Sequence, residues 1–189
     1  MALLRVVVAT LALTLLTAFK PFRDTRSPVE ERQDILEMRD EVLALLYEEA
    51  PSAMQRVENS AGYAVFSNVG VNLLLVSTVN GYGVAHDNKD GSDTFMKMYS
   101  AGVGVGYGVK DFRAVFVFET HQALANFIEQ GWQATAQTDA TAVSGDKGEA
   151  TDYEIQLAPD VKLYQITKTG LALQATLQGT KYLVDKDLN

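Results

Sequence analysis

Glycine at every second position is the feature that most constrains how this chain folds. The stretch at 94–109 is TFMKMYSAGVGVGYGV, and its last part alternates Gly102, Gly104, Gly106 and Gly108 with larger residues. A repeat of two indicates a β-strand, because successive strand side chains point to opposite faces. One face of the strand is therefore hydrophobic and the other is bare backbone. Since glycine weakens an isolated strand, the pattern predicts that a packed helix, a tightly curved sheet or a ligand comes close.

The first 26 residues differ in character from the rest of the chain. Arg5 precedes an uncharged stretch at 6–19, which at about 1.5 Å per residue is shorter than a bilayer core of about 30 Å. We therefore expect a signal peptide. A short retained anchor is the alternative, because Leu16 interrupts the small-residue cleavage pattern before Ala18, and a buried core helix is the third interpretation. The predicted organisation is a signal peptide or anchor plus linker at 1–26 and one domain at 27–189, in a periplasmic or exported, membrane-associated protein.

Charge and cysteine content narrow the classes of partner. The chain of 189 residues carries a formal net charge of −8 and has no cysteine. Nucleic acid is not an expected partner, because binding it requires a basic face. An anionic membrane would also repel the average surface of the protein, so any lipid contact must be local. Without cysteine there is no disulfide, thiolate nucleophile or cysteine-ligated zinc.

A capping box marks the start of the domain. Ser27, Pro28 and Glu30 are placed to begin a helix that is predicted to run to about residue 50, where Pro51 interrupts it. A short second helix is predicted over 52–59. The first helix carries an apolar stripe and an opposite face rich in acidic residues; the stripe consists of Ile35, Met38, Val42, Leu45 and Leu46. We expect the stripe to pack on the domain and the acids to be solvated, with docking of a protein partner on the acidic face as the alternative.

From residue 61 onward the hydrophobic pattern takes the period of two that is typical of strands. Strands are predicted at 62–67, 69–79, 94–109, 112–118, 153–157, 161–167 and 171–178, with a hairpin loop at 87–93 and a longer loop at 134–151. Thr120 and Gly131 bound a further helix. The predicted fold class is α+β: an antiparallel, strongly curved or barrel-like sheet with an N-terminal amphipathic helix and one further helix packed on it.

Few sequence motifs indicate catalysis or metal binding. His86 and His121 are the two histidines of the chain, and their spacing is not that of a metal-binding pair. No nucleophile is placed beside either by sequence, so a hydrolase that uses His121 is the weakest of the functional hypotheses. Residues 86–97 fail as a calcium loop, because His86 and Lys97 stand where acidic ligands are required. We expect no catalytic residue, no metal and no cofactor.

Cations and aromatic residues near the glycine strand indicate a different kind of site. Lys110 and Arg113 flank the hairpin that follows this strand, Tyr107 and Trp132 lie near them in sequence, and Lys181 lies in the closing part of the chain. Cations combined with amphipathic rings can hold a lipid headgroup. The four glycines and these five residues therefore form the lipid-binding hypothesis. The alternative is that the lysines only solvate strand edges.

Several segments together resemble one known family. Residues 61–66 (AGYAVF), 81–84 (GYGV), the glycine strand, 112–118, 131–132 and 170–181 are similar in order and spacing to the SYLF domain, a lipid-binding module also described as actin-binding in its fungal members. The resemblance implies an α+β domain, phospholipid binding and no catalytic activity. Val71 stands where the family has a lysine, so a phosphoinositide site is not implied for this chain. Actin is not an expected partner of a chain that begins with an export segment.

The sequence therefore predicts a bacterial, non-enzymatic SYLF-type domain protein of the cell envelope that binds phospholipid. In this hypothesis the bare face of the glycine strand admits part of the lipid, and Lys110 and Arg113 neutralise its phosphate. The alternative is a structural or protein-interaction module that docks an envelope protein through the acidic N-terminal helix.

Overall fold

The computed structural model describes residues 27–72, 76–103, 113–133, 154–167, 170–171 and 180–189. These ranges contain the helices α1 (Pro28–Glu49), α2 (Pro51–Asn59) and α3 (His121–Gln130). They also contain the strands β1 (Gly62–Asn72), β2 (Val76–Asp87), β3 (Asp93–Val103), β4 (Arg113–Phe118), β5 (Trp132–Gln133), β6 (Glu154–Ala158), β7 (Val161–Thr167), β8 (Gly170–Leu171) and β9 (Thr180–Val184). The predicted signal peptide, the loop at 134–151, the last six residues of the strand predicted at 94–109 and nearly all of the strand predicted at 171–178 lie outside the described residues. None of the described helices has the length and hydrophobicity needed to cross a membrane.

The strands form one curved antiparallel sheet. Their order is β5-β9-β3-β2-β1-β4-β7-β6, and β8 pairs with β7. Two strands separate β9 from β1, so in a flat sheet residues on these strands would lie about 14 Å apart. The ring of Tyr182 on β9 nevertheless lies 4.6 Å from the ring of Phe66 on β1. The sheet is therefore strongly curled, and the predicted α+β class with a curved sheet is confirmed.

One strand prediction in the sheet is wrong, and one strand was not predicted. The strand predicted at 69–79 is divided, because β1 continues to Asn72 and β2 begins at Val76. Asn72 pairs with Ser77, so these two strands are antiparallel neighbours, and the apolar run at 73–76 had suggested one buried strand instead. Residues 180–184 were not predicted as a strand, yet β9 pairs with both β3 and β5.

The capping box predicted for the first helix is confirmed. The Glu30 amide donates to the Ser27 hydroxyl at 3.3 Å, and the Ser27 amide donates to the Glu30 carboxylate at 2.8 Å. The helix ends at Glu49, and Pro51 begins α2. Most of the predicted apolar stripe is buried, but Leu45 is 38% exposed and Leu43 is buried in its place. The buried face of the helix is therefore rotated slightly from the predicted stripe.

The sheet separates two hydrophobic cores. The face that packs against α1 and α2, here called the outer face, includes Val65, Val84, Val115 and Ile166. The face that packs against α3, the inner face, is rich in aromatic rings: Phe66, Phe116, Phe118 and Tyr182, which pack with Phe127 of α3. Successive residues of β1 and β4 alternate between these two cores, as expected of strands that are buried on both sides.

Gly83 allows the aromatic rings to lie directly on the backbone of the inner face. A side-chain carbon at this position would overlap the ring of Phe66 and the carbonyl oxygen of Val65. Phe66 is fully buried and contacts Tyr182 and Phe116. At Gly83, therefore, the protein's own ring occupies the space that the missing side chain leaves.

Candidate functional site

Four of the nine predicted lipid-binding residues lie within the described part of the chain. Gly102 is on β3, Arg113 begins β4, Trp132 begins β5 and Lys181 is on β9. The other five lie outside it: Gly104, Gly106, Tyr107, Gly108 and Lys110.

Lys181 and Trp132 lie at the same edge of the sheet. Trp132 pairs with Tyr182, and Lys181 pairs with Gln133 on one side and Tyr99 on the other. Arg113 is on β4, four strands away from β9, which is about 19 Å along the sheet. The structure therefore places Lys181 and Trp132 on neighbouring strands, at positions on opposite faces of the sheet, and Arg113 lies four strands away.

Strand alternation also assigns the predicted residues to different faces. The unbroken register of β3 against β2 places Gly102 on the same face as Met96 and Met98, which belong to the inner core. Arg113 shares the parity of Val115, which belongs to the outer core. Gly102 and Arg113 consequently lie on opposite faces of the sheet.

An exposed aromatic residue accompanies Lys181, and sequence analysis missed it. Tyr99 on β3 is 46% exposed and lies directly opposite Lys181 on β9, which is also exposed. Lys181 makes no ion pair with any described residue. These two residues are called the Tyr99–Lys181 edge below. The alternation of Tyr99 with the buried Met98 was a usable signal, but the pairing with Lys181 depends on β9, which was not predicted.

The neighbouring cation on the outer face is already neutralised. The ammonium of Lys97 lies 2.7 Å from Asp185 and 3.3 Å from Asp187. Burial alone would lower the pKa of Lys97, but the bonds to these two carboxylates outweigh it and raise the pKa. Among the described residues of β3 and β9, Lys181 is therefore the cation with no described carboxylate partner, whereas Lys97 serves to hold the C-terminal segment on β3.

A second cluster of charges surrounds Glu154 at the opposite edge of the sheet. One carboxylate oxygen of Glu154 accepts from the Arg56 guanidinium at 2.5 Å and from the Tyr164 hydroxyl at 2.7 Å. The other oxygen lies 3.2 Å from the ammonium of Lys162, which also lies 2.9 Å from Glu119. Burial is the main cause that raises the pKa of Tyr164, and its bond to Glu154 adds to this. The residues come from α2, β6 and β7, so their meeting was not visible in the sequence.

The two histidines do not form one site. His86 lies 2.7 Å from Asp93 through Nδ1, and the Arg39 guanidinium contacts the same carboxylate at 3.3 Å. His121 lies 3.6 Å from Asp87 instead. Within the described ranges, no group of three or more acidic or histidine residues is placed to hold a metal ion. The His86–Asp93–Arg39 cluster joins α1 to the β2–β3 hairpin.

Comparison with known proteins relates this chain to one family and to one curated relative. Residues 99–189 match the Ysc84 family, whose domain is the SYLF domain and which is described as Las17-binding protein actin regulator. The chain is also 37% identical over 159 residues to beta cell expansion factor A of Aeromonas veronii, an alignment that covers 84% of this chain and 59% of that protein. The chain thus spans less than two thirds of the length of this relative.

Proposed function

Because this chain belongs to the SYLF-domain family, we propose that it is a non-enzymatic domain that binds phospholipid at a membrane surface of the cell envelope. The proposed location is the periplasm or the exterior, with residues 1–26 acting as an export signal or, if they are retained, as an anchor. The family match and the resemblance quoted above support the lipid-binding part of this proposal.

The observation that carries the proposal is the Tyr99–Lys181 edge. A tyrosine presents an apolar ring and a polar tip, which suits the headgroup level of a membrane. A lysine near an anionic membrane surface contributes about 1 kcal/mol of binding free energy. The two residues are direct cross-strand neighbours, so both can reach one headgroup region.

The charge distribution limits how the domain can approach a membrane. The formal net charge is −8, and α1 carries many exposed carboxylates. An anionic surface repels this helix, so binding requires that the β3–β9 edge approaches first. Because such attraction is weak and screened within about 8–10 Å at moderate salt, binding is expected to weaken as salt rises.

Vesicle flotation tests this proposal with a matched pair of variants. Residues 27–189, once circular dichroism shows that they fold, are mixed with phosphatidylcholine vesicles with or without phosphatidylglycerol. We expect flotation that requires phosphatidylglycerol, is reduced in Lys181→Glu and Tyr99→Ser, and is retained in Lys89→Glu. Lys89 is an exposed lysine in the hairpin loop, so Lys89→Glu makes the same charge change at a distant site. Failure of the unmodified chain to float with either vesicle would reject the proposal.

One observation favours a second candidate function, protein docking on α1. Arg32 donates to the Leu188 carbonyl at 3.1 Å, and Arg39 is bonded to Asp40 and Asp93. Each arginine of the helix therefore makes at least one hydrogen bond to a residue outside the helix. Exposed carboxylates such as Glu41 and Glu48 remain on the solvent side of the helix. A crosslinker placed at Glu41 would capture a defined envelope protein, in a salt-sensitive and lipid-independent manner, if this function is the main one.

A further inference from the structure

We propose that Arg56, Lys162 and Tyr164 form a phosphate-binding site that Glu154 occupies in the resting protein. A phosphate group, from a lipid headgroup or free in solution, displaces the carboxylate and releases strand β6. The inference rests on the proposed function in one respect only, namely that a membrane supplies the phosphate.

The donors converge on one anion. Arg56 and Tyr164 donate to the same oxygen of Glu154, at 2.5 Å and 2.7 Å, and Lys162 lies 3.2 Å from the other oxygen. Arginine, lysine and a hydroxyl are donors that proteins use to hold phosphate oxygens. The Glu154 carboxylate thus stands where a phosphate would be bound.

The charge balance also allows a phosphate to replace the resident carboxylate. Arg56 and Lys162 are opposed by Glu154 and Glu119. When Glu154 leaves, two cations face one carboxylate, and Glu119 is half-exposed. The vacated site then carries one excess positive charge, which matches the single negative charge of a phosphodiester headgroup. Inorganic phosphate brings more negative charge and more acceptor oxygens than Glu154 did.

The position of Glu154 makes displacement feasible. It is the first residue of β6, the last strand in the order, which pairs only with β7 among the described strands. The register of this pair is interrupted between Gln156 and Ala158. The first residue of a short edge strand with an irregular ladder opens at lower cost than the rest of this strand, where Ile155 and Leu157 are buried in the inner core. The Glu154 contacts are therefore well placed to act as a latch on β6.

Phosphate titration of the full chain tests the site itself. Calorimetry with inorganic phosphate compares the unmodified chain with Glu154→Ala, Glu154→Gln and the double variant Arg56→Gln/Glu154→Ala. Removal of a tethered competitor should tighten phosphate binding in Glu154→Ala at least about tenfold, and Glu154→Gln, which keeps the shape of the side chain, should show a smaller gain. The double variant should lose the gain. Glu129→Ala, an equal charge change at an exposed position on α3, should leave phosphate binding unchanged.

Hydrogen exchange identifies the source of the phosphate. The full chain is mixed with phosphatidylcholine vesicles that either contain or lack phosphatidylglycerol. Its N-terminal segment is then present in both samples. Faster exchange of the β6 amides with phosphatidylglycerol alone supports a membrane source. Tighter phosphate binding without this vesicle effect supports the site with free phosphate as its ligand, and the flotation assay then decides the lipid function separately. If Glu154→Ala and Glu154→Gln remain folded and bind phosphate no better than the unmodified chain, the latch proposal is overturned.

Discussion

Replacing Gly83 with alanine tests whether the bare inner face of β2 is covered by the protein's own rings. The added methyl carbon would overlap the carbonyl oxygen of Val65 and lie 2.8 Å from Cε1 of Phe66. The carbonyl cannot move without disturbing the β1–β2 ladder, and Phe66 is held by Tyr182 and Phe116. Overpacking of a core costs about 1–3 kcal/mol. We expect the upper part of this range, because a backbone atom is involved.

Unfolding by urea and by heat, followed by circular dichroism, measures this cost. A loss of about 2–3 kcal/mol corresponds to a fall in Tm of about 5–10 °C for a domain of this size. Gly91→Ala is the comparison variant, because Gly91 has a φ of 74° and no atom near a side-chain carbon, so it reports backbone strain of about 1 kcal/mol without overlap. In the Phe66→Leu/Gly83→Ala double variant, the two effects should be non-additive by about 1 kcal/mol. If Gly83→Ala is as stable as the unmodified chain, then Phe66 does not lie on this backbone and the inner face is open to a guest.

Three other predictions concern separate parts of the chain. Ser27→Ala should lower the free energy of unfolding by about 1 kcal/mol through loss of the α1 cap, whereas Ser27→Asn should keep most of it. Burial, assisted by the charges of Tyr63 and Glu58, raises the pKa of Tyr47 from 10.0 to about 12. The contribution of the protonated Tyr47 to stability is therefore complete below pH 10 and is lost as the pH rises toward 12. Urea unfolding midpoints measured across this range should decline less steeply in Tyr47→Phe than in the unmodified chain. Lys110→Glu/Arg113→Glu should reduce flotation with phosphatidylglycerol vesicles, and an unchanged flotation would remove both cations from the lipid site.

Local signals explain why much of the fold was predictable from the sequence. The capping box of α1 depends on residues three positions apart, and its two hydrogen bonds form as expected. The change of hydrophobic period near residue 61 coincides with the start of β1 at Gly62. Both signals act within a few residues, so tertiary packing does not override them.

The features that were missed depend on contacts between distant segments. Residues 56, 154, 162 and 164 meet around one carboxylate only because β6 and β7 lie beside α2, and no spacing in the sequence encodes this. The Tyr99–Lys181 pair requires the register between β3 and β9. The division of the stretch at 69–79 was missed for a related reason, because an apolar run does not reveal where one buried strand ends and the next begins.

The alternation of β1 and β4 between the two hydrophobic cores has a consequence for cooperativity. Val115 and Val117 face α1 and α2, while Phe116 and Phe118 face α3. Detachment of the helices on either side would therefore destabilise strands that also pack against the helices on the other side. Global unfolding of the domain should accordingly follow a single transition by every probe. Loosening of the helical layer on one side would then be communicated through the shared strands to the aromatic cluster on the other.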